Sequence, residues 1–115
     1  MIYNEKDYVL DVRENMRGGK GNVVLEHLLS GDALPPNNRL CAKVTIAPGD
    51  SLGEHPHEGE TEIYIFMEGT GKVTDDEMVI NVKPGYVMTT GKGHTHSVTN
   101  DGDTDLVFLA IIISE

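Results

Sequence analysis

The sequence predicts an all-β domain closed as a barrel or a jelly roll. Glycine (13) and proline (5) are spread along the chain. They cut it into short apolar segments about 8–12 residues apart, the rhythm of a β-sandwich or barrel. No segment shows a long apolar pattern at the 3.6-residue period of a helix. About eight to ten strands in a chain this short would expose their edges unless the sheet closes or pairs with a second one.

The elements follow in order. Residues 1–21 read as a partly extended N-terminal arm, with Arg17-Gly18-Gly19-Lys20-Gly21 as a flexible stretch. NVVLEHLL, residues 22–29, fits a strand or a turn or two of helix, and the β-branched Val23-Val24 favours strand. Pro35-Pro36 makes residues 30–38 a loop. LCAKVTIA, residues 40–47, is a strand that stops at Pro48-Gly49, and EIYIFM, residues 62–67, is one that stops at Gly69. Residues 72–74 and 78–82 flank the polar turn Asp75-Asp76-Glu77 and read as a hairpin. Strands follow at residues 86–89 and 95–99. The continuous apolar run from Leu106 to Ile113 fits a buried strand.

Length and charge bound the function. A chain of 115 residues is one domain, and no repeat or linker suggests a second. The net charge of −10 opposes the phosphate backbone, so the expectation is no nucleic-acid partner. An anionic membrane surface is disfavoured likewise, and no apolar run nears the ~20 residues of a span. The one cysteine, Cys41, cannot form an internal disulfide, and no signal pattern opens the chain. The expected location is therefore cytoplasmic. Cys41 itself reads as a small core residue.

Five histidines are the informative oddity. His55 and His57 stand at i, i+2, so on a strand both imidazoles project to one face. A polar turn follows, and the returning antiparallel strand can place Glu62 opposite the pair as a third ligand. His94 and His96 repeat the spacing, and one or both can face the same interior. Such a set suits a divalent Mn, Fe, Co, Ni, Cu or Zn rather than the oxygen cage of Ca or Mg. Glu58 and Glu60 read as solvated turn residues, and His27 as a non-ligand.

The spacing also resembles that of the cupin family. Its first motif is matched by Gly49, DSLGE, His55-Pro56-His57, EGET, Glu62, IYIFME and Gly69, over residues 49–69. Its second, over residues 85–100, is matched by Gly85, YVMTT, Gly91-Lys92-Gly93, His96 and Asn100. Gly91 stands where the family usually has proline, which should loosen a turn without removing a ligand. The resemblance implies a cupin-type jelly-roll β-barrel, or double-stranded β-helix, in a single domain that pairs as a homodimer. It implies His55, His57, Glu62 and His96 as metal ligands and leaves His94 a neighbour.

Four protein ligands on a six-coordinate metal leave two open positions, suited to a small anion. Three readings follow. The first is a mononuclear metal enzyme of decarboxylase, dioxygenase or isomerase type acting on a small carboxylate-like molecule. The second is a metal-dependent binder of such a ligand without turnover, and the third a metal that only stiffens the barrel. Parity aims Tyr64 and Phe66 inward with Glu62, and Val98 inward with His96. Phe108, Ala110, Ile112 and Met88 can join them. Tyr64 is the catalytic candidate, because a buried phenol needs a partner. A decarboxylase would also use a cationic anchor. The three arginines, Arg13, Arg17 and Arg39, lie outside both motifs, so the sequence gives that reaction no support. The remaining apolar parity of residues 62–67 (Ile63, Ile65 and Met67) needs a cover, either the N-terminal arm or a second subunit.

Overall fold

Alternation of apolar and polar residues builds two antiparallel sheets. The computed structural model describes Met1–Glu115. Its strands are β1 (Val9–Glu14), β2 (Asn22–Leu29), β3 (Asn38–Ile46), β4 (Ser51–Pro56) and β5 (Glu60–Glu68). They continue with β6 (Gly71–Asp75), β7 (Met78–Val82), β8 (Val87–Gly91), β9 (Thr95–Thr99) and β10 (Leu106–Ser114). One sheet has the order β1-β2-β3-β10-β5-β8 and the other β4-β9-β6-β7. Their inner faces meet as a jelly roll, and the expectation of an all-β barrel-like fold holds.

Register fixes what points inward. Phe66 pairs with Phe108, Tyr64 with Ala110 and Glu62 with Ile112. Across the next interface Phe108 faces Val44, and Ala110 faces Ala42. These residues share the buried face, together with Val23, Leu25 and Ile46 from β2 and β3. Leu52, Val73, Val82 and Val98 complete the core from the other sheet. Each such side chain contributes roughly 1.5–3 kcal/mol of burial. Phe66 and Phe108 pack with ring centroids 5.2 Å apart.

Asn100, fully buried, closes the end of the roll. Its amide donates to the carbonyls of Ile46 and Thr104, and its side-chain oxygen accepts from the Gly102 amide. The second motif therefore ends on a structural asparagine that ties the 100–104 turn to β3.

Several expectations change. The stretch 17–21 is ordered: a tight turn spans Met16–Gly18 and packs on β4. Gly19 and Gly53 make this possible, because a Cβ on Gly19 would lie 2.1 Å from the Ser51 carbonyl oxygen, and one on Gly53 equally close to that of Arg17. The β6–β7 turn is tighter than Asp75-Asp76-Glu77, since Asp75 still pairs with Met78. Cys41 is half-buried on the outer face, because its parity is that of Lys43 and Thr45 and opposite to Ala42. The N-terminal arm does not cover Ile63, Ile65 and Met67. β1 pairs with β2 at the sheet edge, with β2, β3 and β10 between it and β5.

Candidate metal centre

Four side chains converge between the sheets. His55 on β4 lies directly opposite His96 on β9. His57 follows β4, and backbone bonds to the β8–β9 turn hold it there: its amide donates to the His94 carbonyl, and the Gly93 amide donates to its own. Glu62 arrives from β5 in the facing sheet. The expected β4–β5 pairing is therefore absent, because Gly59 (φ +68°) turns the chain across to the other sheet. All four residues are buried. The His96 Nε2 lies 3.0 Å from the Nε2 of both His55 and His57. One Glu62 oxygen lies 2.8 Å from His57 Nε2 and 3.1 Å from His96 Nε2. One potential ligand atom from each residue falls within 4.8 Å of all the others.

The outer ring nitrogens all have acceptors. His55 Nδ1 donates to the Gly53 carbonyl at 2.8 Å, and His57 Nδ1 to a Glu60 oxygen at 2.9 Å. His96 Nδ1 donates to the Thr90 hydroxyl oxygen at 2.9 Å. Each neutral ring then offers its Nε2 lone pair to the centre, the arrangement that orients histidine on a metal. Three lone pairs and a carboxylate oxygen at such distances repel unless a cation lies among them. A divalent transition metal fits this donor set, and without it a proton must serve. Burial pushes the Glu62 carboxyl up, but the hydrogen bonds with His57 and His96 outweigh it and hold the group at about 2. The bond to Glu62 raises His57. Burial lowers His55 and so favours its neutral, ligating form.

The site opens into a small cavity of about 100 Å³, lined by His55, His57, Glu62 and Tyr64 and by all three arginines, Arg13, Arg17 and Arg39. Sequence reasoning missed this cationic rim. Arg13 sits opposite Val23 in the β1–β2 register and so shares the inner face; only long-range pairing reveals that. Glu60 is likewise no solvated turn residue. Besides accepting from His57, its oxygens accept from one Arg39 nitrogen at 2.8 and 3.1 Å. Burial raises its carboxyl, and the Arg39 and His57 hydrogen bonds more than offset this. Glu58 is exposed, as expected.

Tyr64 stacks on His96 with ring centroids 4.7 Å apart, its hydroxyl 3.2 Å from Nε2. Burial drives the phenol well above its ordinary range, so it stays protonated. His94 is exposed and bonded to Asp76, away from the centre. His27 bonds Asp11 at 3.1 Å. Gly91 is short of space rather than loose: a Cβ there would meet the Thr61 hydroxyl oxygen at 2.5 Å.

Comparison with known proteins agrees with this architecture. The profile of the Cupin domain matches residues 42–112. The chain belongs to the cupin family. This cupin is 43% identical over 113 residues to a Thermotoga maritima protein called an oxalate-binding protein, covering 98% of this chain and 93% of that one. A T. maritima crystal structure described as a predicted oxalate decarboxylase superposes with a TM-score of 0.93 at 43% identity, both chains covered in full. A putative sugar phosphate isomerase from Acidithiobacillus ferrooxidans gives 0.71 at 27% identity, with 82% of this chain and 60% of that one covered.

Proposed function

We propose that this cupin holds a divalent transition metal on His55, His57, Glu62 and His96 and there binds a small carboxylate of the oxalate class. The observation that carries this reading is the pairing of a buried three-histidine, one-glutamate centre with an arginine-lined cavity of about 100 Å³. That volume lies well under the ~300 Å³ at which drug-sized ligands are accommodated. A sugar phosphate is too large for it, whereas oxalate is compact. The name of the T. maritima relative points the same way. In an acidic protein, arginine and metal together make a local well for anions. Calorimetry tests the reading: oxalate should bind the metal-loaded form and not the metal-stripped form. Equal binding to both would overturn it.

Turnover has one specific support, the protonated Tyr64 hydroxyl at the centre. The metal would supply Lewis-acid polarisation of a bound carboxylate. Tyr64 is placed to deliver the proton that decarboxylation of oxalate to formate and carbon dioxide consumes, and to recover it from solvent. If so, Tyr64→Phe abolishes formate production while keeping oxalate affinity. No formate from the metal-loaded wild type under any of these metals leaves the protein a binder.

We also infer a homodimer across the outer face of the larger sheet. Ile63, Ile65, Leu109 and Ile111 form an apolar patch there, extended by the exposed Met67 and Ile113. No segment of the same chain covers it, and a second copy buries it symmetrically. Sedimentation should give a dimer mass, and Ile65→Glu a monomer; a monomeric wild type at micromolar concentration contradicts it.

A further inference from the structure

Three arginines rim the cavity, and they are not equivalent. Arg13 is tied to the Asp11 carboxylate at 2.9 Å, and Arg39 is held by both oxygens of Glu60. Their charges are already met. Arg17 has no ion-pair or hydrogen-bond partner for its guanidinium. It is the one uncompensated cation on the wall that also carries His55, His57 and Glu62.

Its backbone is unusual as well. Arg17 sits at φ 55°, ψ 30°, and Asn15, two residues before it, at φ 50°, ψ 42°, both left-handed. For asparagine this is ordinary; for arginine it is disfavoured, costs stability and persists only where the surroundings enforce it. Here they do. The Gly19–Gly53 approach clamps the stretch 17–21 onto β4, and the Lys20 amide donates to the Ser51 hydroxyl oxygen at 2.9 Å. The chain thus holds a residue poorly suited to its conformation among those that line the cavity, and its exposed, unpaired guanidinium can receive an anion in two parallel hydrogen bonds.

We propose that Arg17 is the anion anchor of the cavity and selects small ligands with two acidic groups, one directed to the histidine–glutamate centre and the other to the Arg17 guanidinium. This rests on the carboxylate-binding reading above and specifies the ligand class as short dicarboxylates over monocarboxylates of the same size. It also supplies from the N-terminal arm the cationic anchor that the two motifs lack.

The test compares oxalate with glycolate, which keeps the two-carbon frame and one carboxylate. Both are titrated by calorimetry into metal-loaded wild type, Arg17→Asn and Lys83→Gln. Lys83 is exposed and not among the cavity-lining residues, so its variant controls for loss of one positive charge. Arg17→Asn should weaken oxalate by about tenfold or more, the scale of a charge-assisted hydrogen-bond pair. Glycolate should change by less than about twofold, outside the reach of a lost charge-assisted bond. Asparagine suits the left-handed backbone, so the metal-free midpoint of Arg17→Asn should equal or exceed that of wild type, and metal content should stay the same. Oxalate and glycolate weakening equally, or Lys83→Gln weakening oxalate as much as Arg17→Asn, overturns the assignment while leaving metal-dependent binding intact. Loss of metal dependence in the wild type itself overturns the functional reading and this proposal with it.

Discussion

His55-Pro56-His57 sends both imidazoles to the buried centre, whereas His94-Thr95-His96 sends only one. The spacing is the same and the two segments lie antiparallel, with His55 opposite His96 and Pro56 opposite Thr95. Strict alternation would put His94 beside His57, facing inward. The difference lies in the turn. Lys92 (φ 55°) and Gly93 (φ 80°) reverse the chain immediately before His94, and β9 begins only at Thr95. His94 therefore swings out to Asp76. His57 also lies beyond the end of its strand, yet two backbone bonds to the same turn keep it in line. A His-x-His pair shares a face only while the backbone on both sides stays extended.

The sharpest way to break this comparison is to exchange the fates of the two pairs. His55→Ala and His96→Ala should each lower metal affinity by more than about 100-fold, beyond what loss of an outer partner costs. Metal content after purification without chelator reads this. Glu60→Ala comes next. Since Glu60 accepts from His57 Nδ1, its removal should cost about 10–100-fold in metal affinity; retention at the wild-type level would return Glu60 to a solvated turn residue.

The pH response is smaller and has a definite sign. Without metal, the raised His57 and lowered Glu62 form an ion pair. Its stabilisation is complete between pH 4.5 and 6.5, the ordinary values of the two groups. It is lost as pH rises through the raised His57 value, or falls through about 2 for Glu62. Metal requires His57 neutral, so the metal-conferred rise in thermal midpoint should grow from about pH 5 to about 7.5. A flat or falling increment would remove His57 from the ligand set. His94→Ala should do least, leaving metal content and midpoint essentially unchanged, because its pair with Asp76 is exposed.

What could be read from the sequence was what depends on local pattern. Residues 22–29, 78–82 and 95–99 matched their strands to the residue, because β-branched alternation and the bounding turns agree there. The four converging residues were legible through the resemblance to the two family motifs; spacing alone left His94 and His96 as alternatives. Parity within β3 also held the answer for Cys41, since Lys43 and Thr45 mark its side as the outer one. What local pattern could not carry was pairing across the chain. It could not show that β4 joins β9 while β5 joins the other sheet. Nor could it show that Arg13 and Arg17 from the arm and Arg39 from β3 meet at one cavity. Glu60 was misjudged for the same reason: its partner Arg39 lies 21 residues away.

The central claim is that the buried cluster is a metal centre at which a small carboxylate binds. Cobalt(II) loading tests it most directly, because the ion's visible spectrum reports its ligands. The metal-stripped protein should take up one cobalt per chain, and oxalate should then change the spectrum and saturate at one per chain. His96→Ala should show neither response. Cobalt bound with a spectrum indifferent to oxalate, or oxalate bound equally by the stripped protein, would contradict the account.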